Sequence, residues 1–106
     1  MKKINLDNYR VNVNTKDGQV SVDYDVKGSI KNILFDVRQQ LSAVQLFEVM
    51  DIWKKIKDEK EIVILEEAEY KIIRKSIDAF KGYTENDYEF VKRITEAENF
   101  EIKKES

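Results

Sequence analysis

Cysteine, histidine and proline are all absent from this 106-residue chain, and glycine occurs only three times. Without cysteine there can be no disulfide framework, zinc knuckle or thiol nucleophile. Without histidine the chain lacks the usual general base near neutral pH and the commonest metal ligand. Without proline there are no polyproline-type linkers, and few rigid loops are expected. An excess of charge of one sign is missing too. The 19 basic and 21 acidic residues leave a formal net charge of −2, which speaks against the broad basic footprint of a nucleic-acid binder and against an acidic mimic of DNA. Long apolar runs are also absent. The longest is Ile62-Val63-Ile64-Leu65, far short of the roughly 20 residues that span a bilayer. Met1-Lys2-Lys3 is followed by Asn5, Asp7 and Asn8, not by the apolar stretch of a signal peptide. These absences predict a soluble, cytoplasmic protein with no membrane segment, no metal and no cofactor.

What is present suits one domain. Hydrophobic residues make up 42% and charged residues 38%, enough for a single core under a heavily solvated exterior. Residues 1–28 read as strand. Tyr9, Val11 and Val13 alternate with polar residues, as do Val20, Val22, Tyr24 and Val26. Asn14-Thr15-Lys16-Asp17-Gly18 between them reads as a hairpin loop closed by glycine. Because a lone hairpin is marginal in water, its apolar face is expected to need cover.

The period then changes. Ile30, Ile33, Leu34, Val37 and Leu41 form one helical stripe, with Gly28 marking the break and Ser29 as the N-cap. Ser42-Ala43-Val44-Gln45 fits a capping box and opens a second helix. Leu46, Phe47, Met50, Trp53 and Ile56 or Lys57 follow at helical spacing, widened by Val49 and Ile52, so this helix is expected to be enclosed on more than one side. Residues 61–65 read as a short buried strand, with a direct lead into the next helix as the alternative. A third helix is expected over residues 66–81, acidic at its start and basic later, as the helix dipole favours, with Gly82 as its left-handed stop. Thr84-Glu85-Asn86-Asp87 resembles another capping box, starting a fourth helix that turns Tyr88, Val91 and Ile94 inward, with Phe90 a further candidate. The domain is drawn over residues 1–98 and a flexible tail over 99–106, in which Phe100 and Ile102 could alternatively add an edge strand. The fold class predicted is α+β: an N-terminal β-hairpin, extended by a strand near 61–65, packed on three to four helices.

Catalytic signatures are scarce. No glycine-rich phosphate loop is present, and common triads cannot form without histidine or cysteine. Asp23 with Asp25, and Glu48 with Asp51, could in principle hold Mg²⁺ or share protons. In a chain with 21 acidic residues such spacings arise by chance, and solvated surface charge is the reading they support. No enzymatic activity is expected.

Nucleic-acid binding is the alternative class. Lys71, Arg74 and Lys75, with Lys54, Lys55, Lys57 and Lys60, could join into a basic patch. A hinge at Gly82 would imitate a helix-turn-helix, but the second helix begins Thr84-Glu85-Asn86-Asp87-Tyr88-Glu89. That turn would aim carboxylates at phosphates, so nucleic acid is disfavoured as a partner. Aromatic residues are the better clue, because tyrosine and tryptophan concentrate at binding hot spots. Phe47 and Phe80 are expected in the core. Tyr24, Trp53 and Tyr83, with Lys54 and Lys55, are the candidate partner interface.

The order of elements also resembles small proteins encoded by tailed phages and prophages. The resemblance rests on a β segment, a helix like Ile30 to Leu41, a helix like Phe47 to Lys57, the Ile62-Val63-Ile64-Leu65-Glu66-Glu67 junction, and Tyr70, Ile73 and Ile77 before a last helix from Tyr88 to Ile94. It implies an accessory or assembly protein that binds itself or a phage or host protein. An exposed hairpin edge invites strand addition or self-association. A homodimer through the hairpin or the second helix, at about 800 Å² per partner, is the expected assembly.

Overall fold

The computed structural model describes residues 1–99 and bears out the α+β class. Nine regular elements follow in order: β1 (Lys2–Asn5), β2 (Tyr9–Thr15), β3 (Gly18–Tyr24), α1 (Val26–Leu34), α2 (Ala43–Asp58), β4 (Ile62–Leu65), α3 (Glu67–Ala79), α4 (Tyr88–Thr95) and β5 (Glu98–Asn99). The strands form two separate sheets. One has the order β4-β1-β5, all antiparallel; the other is the ribbon β2-β3. The stretch read as strand over residues 1–28 thus holds the expected hairpin and, ahead of it, a separate strand that alternation alone did not mark off. The aliphatic run Ile62–Leu65 is a strand, but it extends β1 and not the hairpin. Asn99, drawn into the expected tail, pairs with Lys2; Phe100 and Ile102 lie outside the described residues.

The core lies where the three-stranded sheet meets the helices. Ile4, Val63 and Leu65 from the sheet are buried with Ile30 and Leu34 of α1, Ile52 and Ile56 of α2, Ile73 of α3, and Phe90 and Ile94 of α4. Each helix is cut to length by its own polar chemistry. α1 starts at an Asp25 cap, whose Oδ1 accepts from Gly28 N at 3.0 Å. A Cβ on residue 28 would collide with that carboxylate, so glycine belongs inside the first turn and Ser29 is not the cap. α1 also stops at Leu34, short of the expected Leu41. Asp36 caps a single 3₁₀ turn over Val37–Gln39, and the Gln39 amide donates to the carbonyls of Ile33 (2.5 Å) and Leu34 (3.1 Å), satisfying ends that a longer helix would have bonded internally. Val37, expected on the buried stripe, is 87% exposed as a result.

The capping box of α2 forms as expected, Ser42 N to Gln45 Oε1 at 2.9 Å and Gln45 N to Ser42 Oγ at 3.2 Å. Its burial differs from the expected stripe. Val49, Ile52 and Ile56 face the core, Trp53 sits half-buried beside them, and Leu46, Phe47 and Met50 stay outside. Phe47, expected in the core, is 70% exposed. A helix apolar on two sides has met neighbours on one. α3 ends at Ala79, because Phe80 turns to extended backbone (φ −67°, ψ 139°) and lays its ring on Tyr83; the positive φ of Gly82 serves the connection that follows. The Thr84 box opens a 3₁₀ turn over Glu85–Asp87 before α4. That turn sets the phase of α4, so Phe90 and Ile94 point inward while Tyr88 is 69% exposed.

Phe90 is fully buried and lies 5.8 Å, centroid to centroid, from Tyr24. Replacing it with alanine is expected to cost about 3–5 kcal/mol. Urea denaturation would show this as a lower midpoint; an unchanged midpoint would mean that the core does not converge on this ring.

Candidate interaction site

The hairpin turn is built from small parts. Lys16 and Asp17 keep negative φ, and only Gly18 (φ +111°) of the turn takes the left-handed region, which glycine adopts without steric cost. Thr15 Oγ1 donates to Gly18 O at 2.7 Å and accepts from Asp17 N at 3.3 Å. The register pairs Tyr9 with Tyr24, Val11 with Val22 and Val13 with Val20. Strand alternation puts these pairs on one face. Arg10 with Asp23 and Asn12 with Ser21 occupy the other, where Arg10 bonds Asp23 at 2.8 Å and Ser21 Oγ at 3.1 Å.

Only the tyrosine end of the apolar face is attached to the body. Tyr9 and Tyr24 stack at 4.7 Å with 12° between their planes, and the Arg93 guanidinium lies 5.0 Å from the Tyr9 centroid. The Tyr9 hydroxyl donates to Asn86 O (2.8 Å) and accepts from Phe90 N (3.0 Å). The Tyr24 hydroxyl donates to Asp87 Oδ1 at 2.5 Å. Asn86 Nδ2 reaches Asn12 O at 3.4 Å. Both tyrosines pack on the core, whereas Val11, Val13, Val20 and Val22 do not. Val20 and Val22 are 43% and 38% exposed. The ribbon thus extends about 20 Å from its clamped base, with an apolar face and two edges that pair with no other strand among the described residues.

Tyr24 and Tyr83 come together at that base. With Ser29, Asn32, Phe80 and Asp87 they line a cleft of about 180 Å³. Asp87 is its hub: Oδ2 accepts from Thr84 N (2.7 Å) and Thr84 Oγ1 (3.1 Å), and Oδ1 accepts from Tyr24. Tyr83 packs on Phe80 at 4.9 Å and donates to Ile77 O at 2.8 Å. Burial, helped by the negative charges of Asp87 and Asp78, pushes the Tyr83 phenol up to about 12. Burial and the hydrogen bond to Asp87 raise Tyr24 further. Burial raises Tyr9 against the opposing pull of its bond from Phe90 N.

The other residues singled out in the sequence are not at this place. Trp53 packs against the core on α2, with Lys31 Nζ 5.4 Å from its ring centroid. Lys54 is exposed on α2, and Lys55 pairs with Glu69 at 2.9 Å. Of the basic trio on α3, Lys71 and Lys75 are exposed, but Arg74 is drawn into the fold. Its Nη1 donates to Thr95 O at 3.3 Å, its Nη2 lies 3.6 Å from Asp78, and its Nε is buried without a partner among the described residues. The pairings of Lys55 and Arg74 take two charges out of the expected patch. Asp23 pairs with Arg10 and Asp25 caps α1, so that carboxylate pair has structural employment. Among the described residues no cluster of three or more His, Cys, Asp or Glu is placed to hold a metal. No helix among them is long and apolar enough to cross a membrane.

Two features were missed from sequence. Asp87 carried a signal only as the last residue of a capping box, and its bond to Tyr24, 63 residues away, left no local trace. The valine face was legible as alternation, but not that its distal half lacks cover.

The raised phenols dictate an alkaline response. The unfolded chain ionises tyrosine near 10, while folded Tyr9, Tyr24 and Tyr83 hold their protons to higher pH. Their contribution is complete below pH 10 and is lost as pH rises through the folded values. Denaturation midpoints are expected to fall between pH 10 and about 12, and Tyr24→Phe should flatten that fall. A decline equally steep in the variant would disconnect Tyr24 from it.

Compared with protein families, curated proteins and solved structures, the chain matches none.

Proposed function

We propose that this protein is a non-enzymatic, cytoplasmic binding or assembly factor that engages itself or another protein through the β2-β3 ribbon. One observation carries the reading: the ribbon is clamped at its tyrosine end, while among the described residues none of the four valines beyond it packs on the core and Val20 and Val22 are exposed. A ribbon held rigid at its base loses less freedom on binding than a mobile loop. Its open edges offer backbone groups for strand addition, and the valines offer apolar contact for the incoming segment. The exposed Leu46, Phe47 and Met50 on α2 supply a second apolar surface for the same purpose. The resemblance to phage and prophage accessory proteins supports a phage or host protein as partner.

Size-exclusion chromatography with light scattering would test this on the protein alone and after exposure to bacterial lysate. The expected outcome is a homodimer, or one protein retained at stoichiometric level, with either lost in the double variant Val20→Thr/Val22→Thr while its thermal midpoint stays within a few degrees of wild type. A monomer that retains only nuclease-sensitive material would sink the reading, as would a variant that binds as well as wild type.

A further inference from the structure

The cleft at the base of the ribbon combines three features: aromatic walls from Tyr24, Phe80 and Tyr83, a carboxylate from Asp87, and no cation. None of its lining residues is Lys or Arg, and Asp87 forms no ion pair among the described residues. The neighbouring cleft, which also uses Phe80, shows how this chain completes such a set. There Arg38 lies 4.9 Å from the Phe80 centroid, and its Nε and Nη2 grip the Asp36 carboxylate at 3.0 and 2.7 Å. Ring, carboxylate and guanidinium are all present on that side; on the Asp87 side the guanidinium is missing. We propose that the Asp87 cleft receives an arginine guanidinium from a protein partner.

The chemistry of the site fits that group. A carboxylate has about four acceptor positions, and Asp87 has three accepted bonds, with Tyr24 alone on Oδ1, so a further donor can be taken there. Aromatic faces attract cations, and a planar guanidinium stacks on them while its fork bonds a carboxylate, which a compact ammonium does less well. The size is selective too. At about 180 Å³ the cleft is smaller than the roughly 300 Å³ at which drug-sized ligands begin to be enclosed, and it suits one side-chain head group. The charges of Asp87 and Asp78, which add to burial in raising Tyr83, favour a cation there as well. This inference rests on the protein-binding reading only for the source of the arginine.

N-acetyl-L-arginine amide, titrated into the isotope-labelled protein and followed by NMR at the tyrosine rings, tests the cleft directly. Saturable shifts at Tyr24 and Tyr83 are expected, with a dissociation constant on the order of millimolar that weakens with added salt. The neutral citrulline counterpart should give none, and the lysine counterpart should bind more weakly. Asp87→Asn is expected to weaken arginine binding roughly tenfold. Because Asp87 also caps a turn, Asn32→Lys provides a second variant. Asn32 is exposed on α1 with no side-chain hydrogen bond among the described residues, and a tethered ammonium there should block the probe. Citrulline binding as well as arginine, shifts that never saturate, or arginine binding untouched by Asn32→Lys would each overturn the proposal. Lysine binding as tightly as arginine would overturn the guanidinium assignment. The probe reports on the cleft whether or not a protein is captured, so its failure is distinct from failure of the ribbon variants.

Discussion

A two-stranded ribbon has no second layer of its own, so in water it holds its shape only where one face is fastened to something else. Here the fastening is the stacked pair Tyr9–Tyr24, set against Phe90 and bonded through both hydroxyls to the segment from Asn86 to Phe90. Each phenol carries an apolar ring and a polar tip, which lets the same two residues bury area and satisfy backbone or carboxylate groups. The position of the ribbon, the closure of the Asp87 cleft and the exposure of the distal valines all follow from that clamp.

The body that receives the clamp is closed by residues far apart in the chain. β1 lies between β4 and β5, so residues 2–5 are bonded to 62–65 on one side and residues 2–3 to 98–99 on the other. Leu6 N continues the ladder to Glu61 O at 2.7 Å. Arg93 adds a tie from α4 to the β1–β2 connection, donating from Nη1 to Asp7 O at 2.5 Å while covering Tyr9. These long-range bonds hold residues 98–99 against residues 2–3, and they fix α4, which carries Phe90, beneath the ribbon.

Part of the surface charge is paired locally among the described residues. Arg10 on Asp23, Arg38 on Asp36, Lys55 on Glu69 and Arg93 on Glu89 each pair within or between neighbouring elements. Exposed pairs of this kind contribute little to stability. Asp87 is held differently: it is half-buried, accepts from three donors and has no ion pair among the described residues.

Much of the fold was legible in the sequence because its signals are local. Alternating valines and Gly18 specify the hairpin, Ser42-x-x-Gln45 starts α2, and the β-branched run at 62–65 becomes a strand. Local chemistry also carried information that was misread: Asp25 and Asp36 compete with Ser29 and the helical stripe for the ends of α1, and a carboxylate in reach of free N–H groups won. Which apolar face finds a partner was decided only in three dimensions. Phe47 and Ile52 are equally apolar on paper, yet burial depends on what the rest of the chain brings alongside, and only one side of α2 is met. The candidate site shows the same division. Tyr24 and Tyr83 could be named from residue type, but their convergence on Asp87 spans dozens of residues. The sequence by itself determined the elements, through periodicity and capping within a few residues; the tertiary structure alone decided which surfaces remained uncovered, because burial is a property of pairs of surfaces and not of either one.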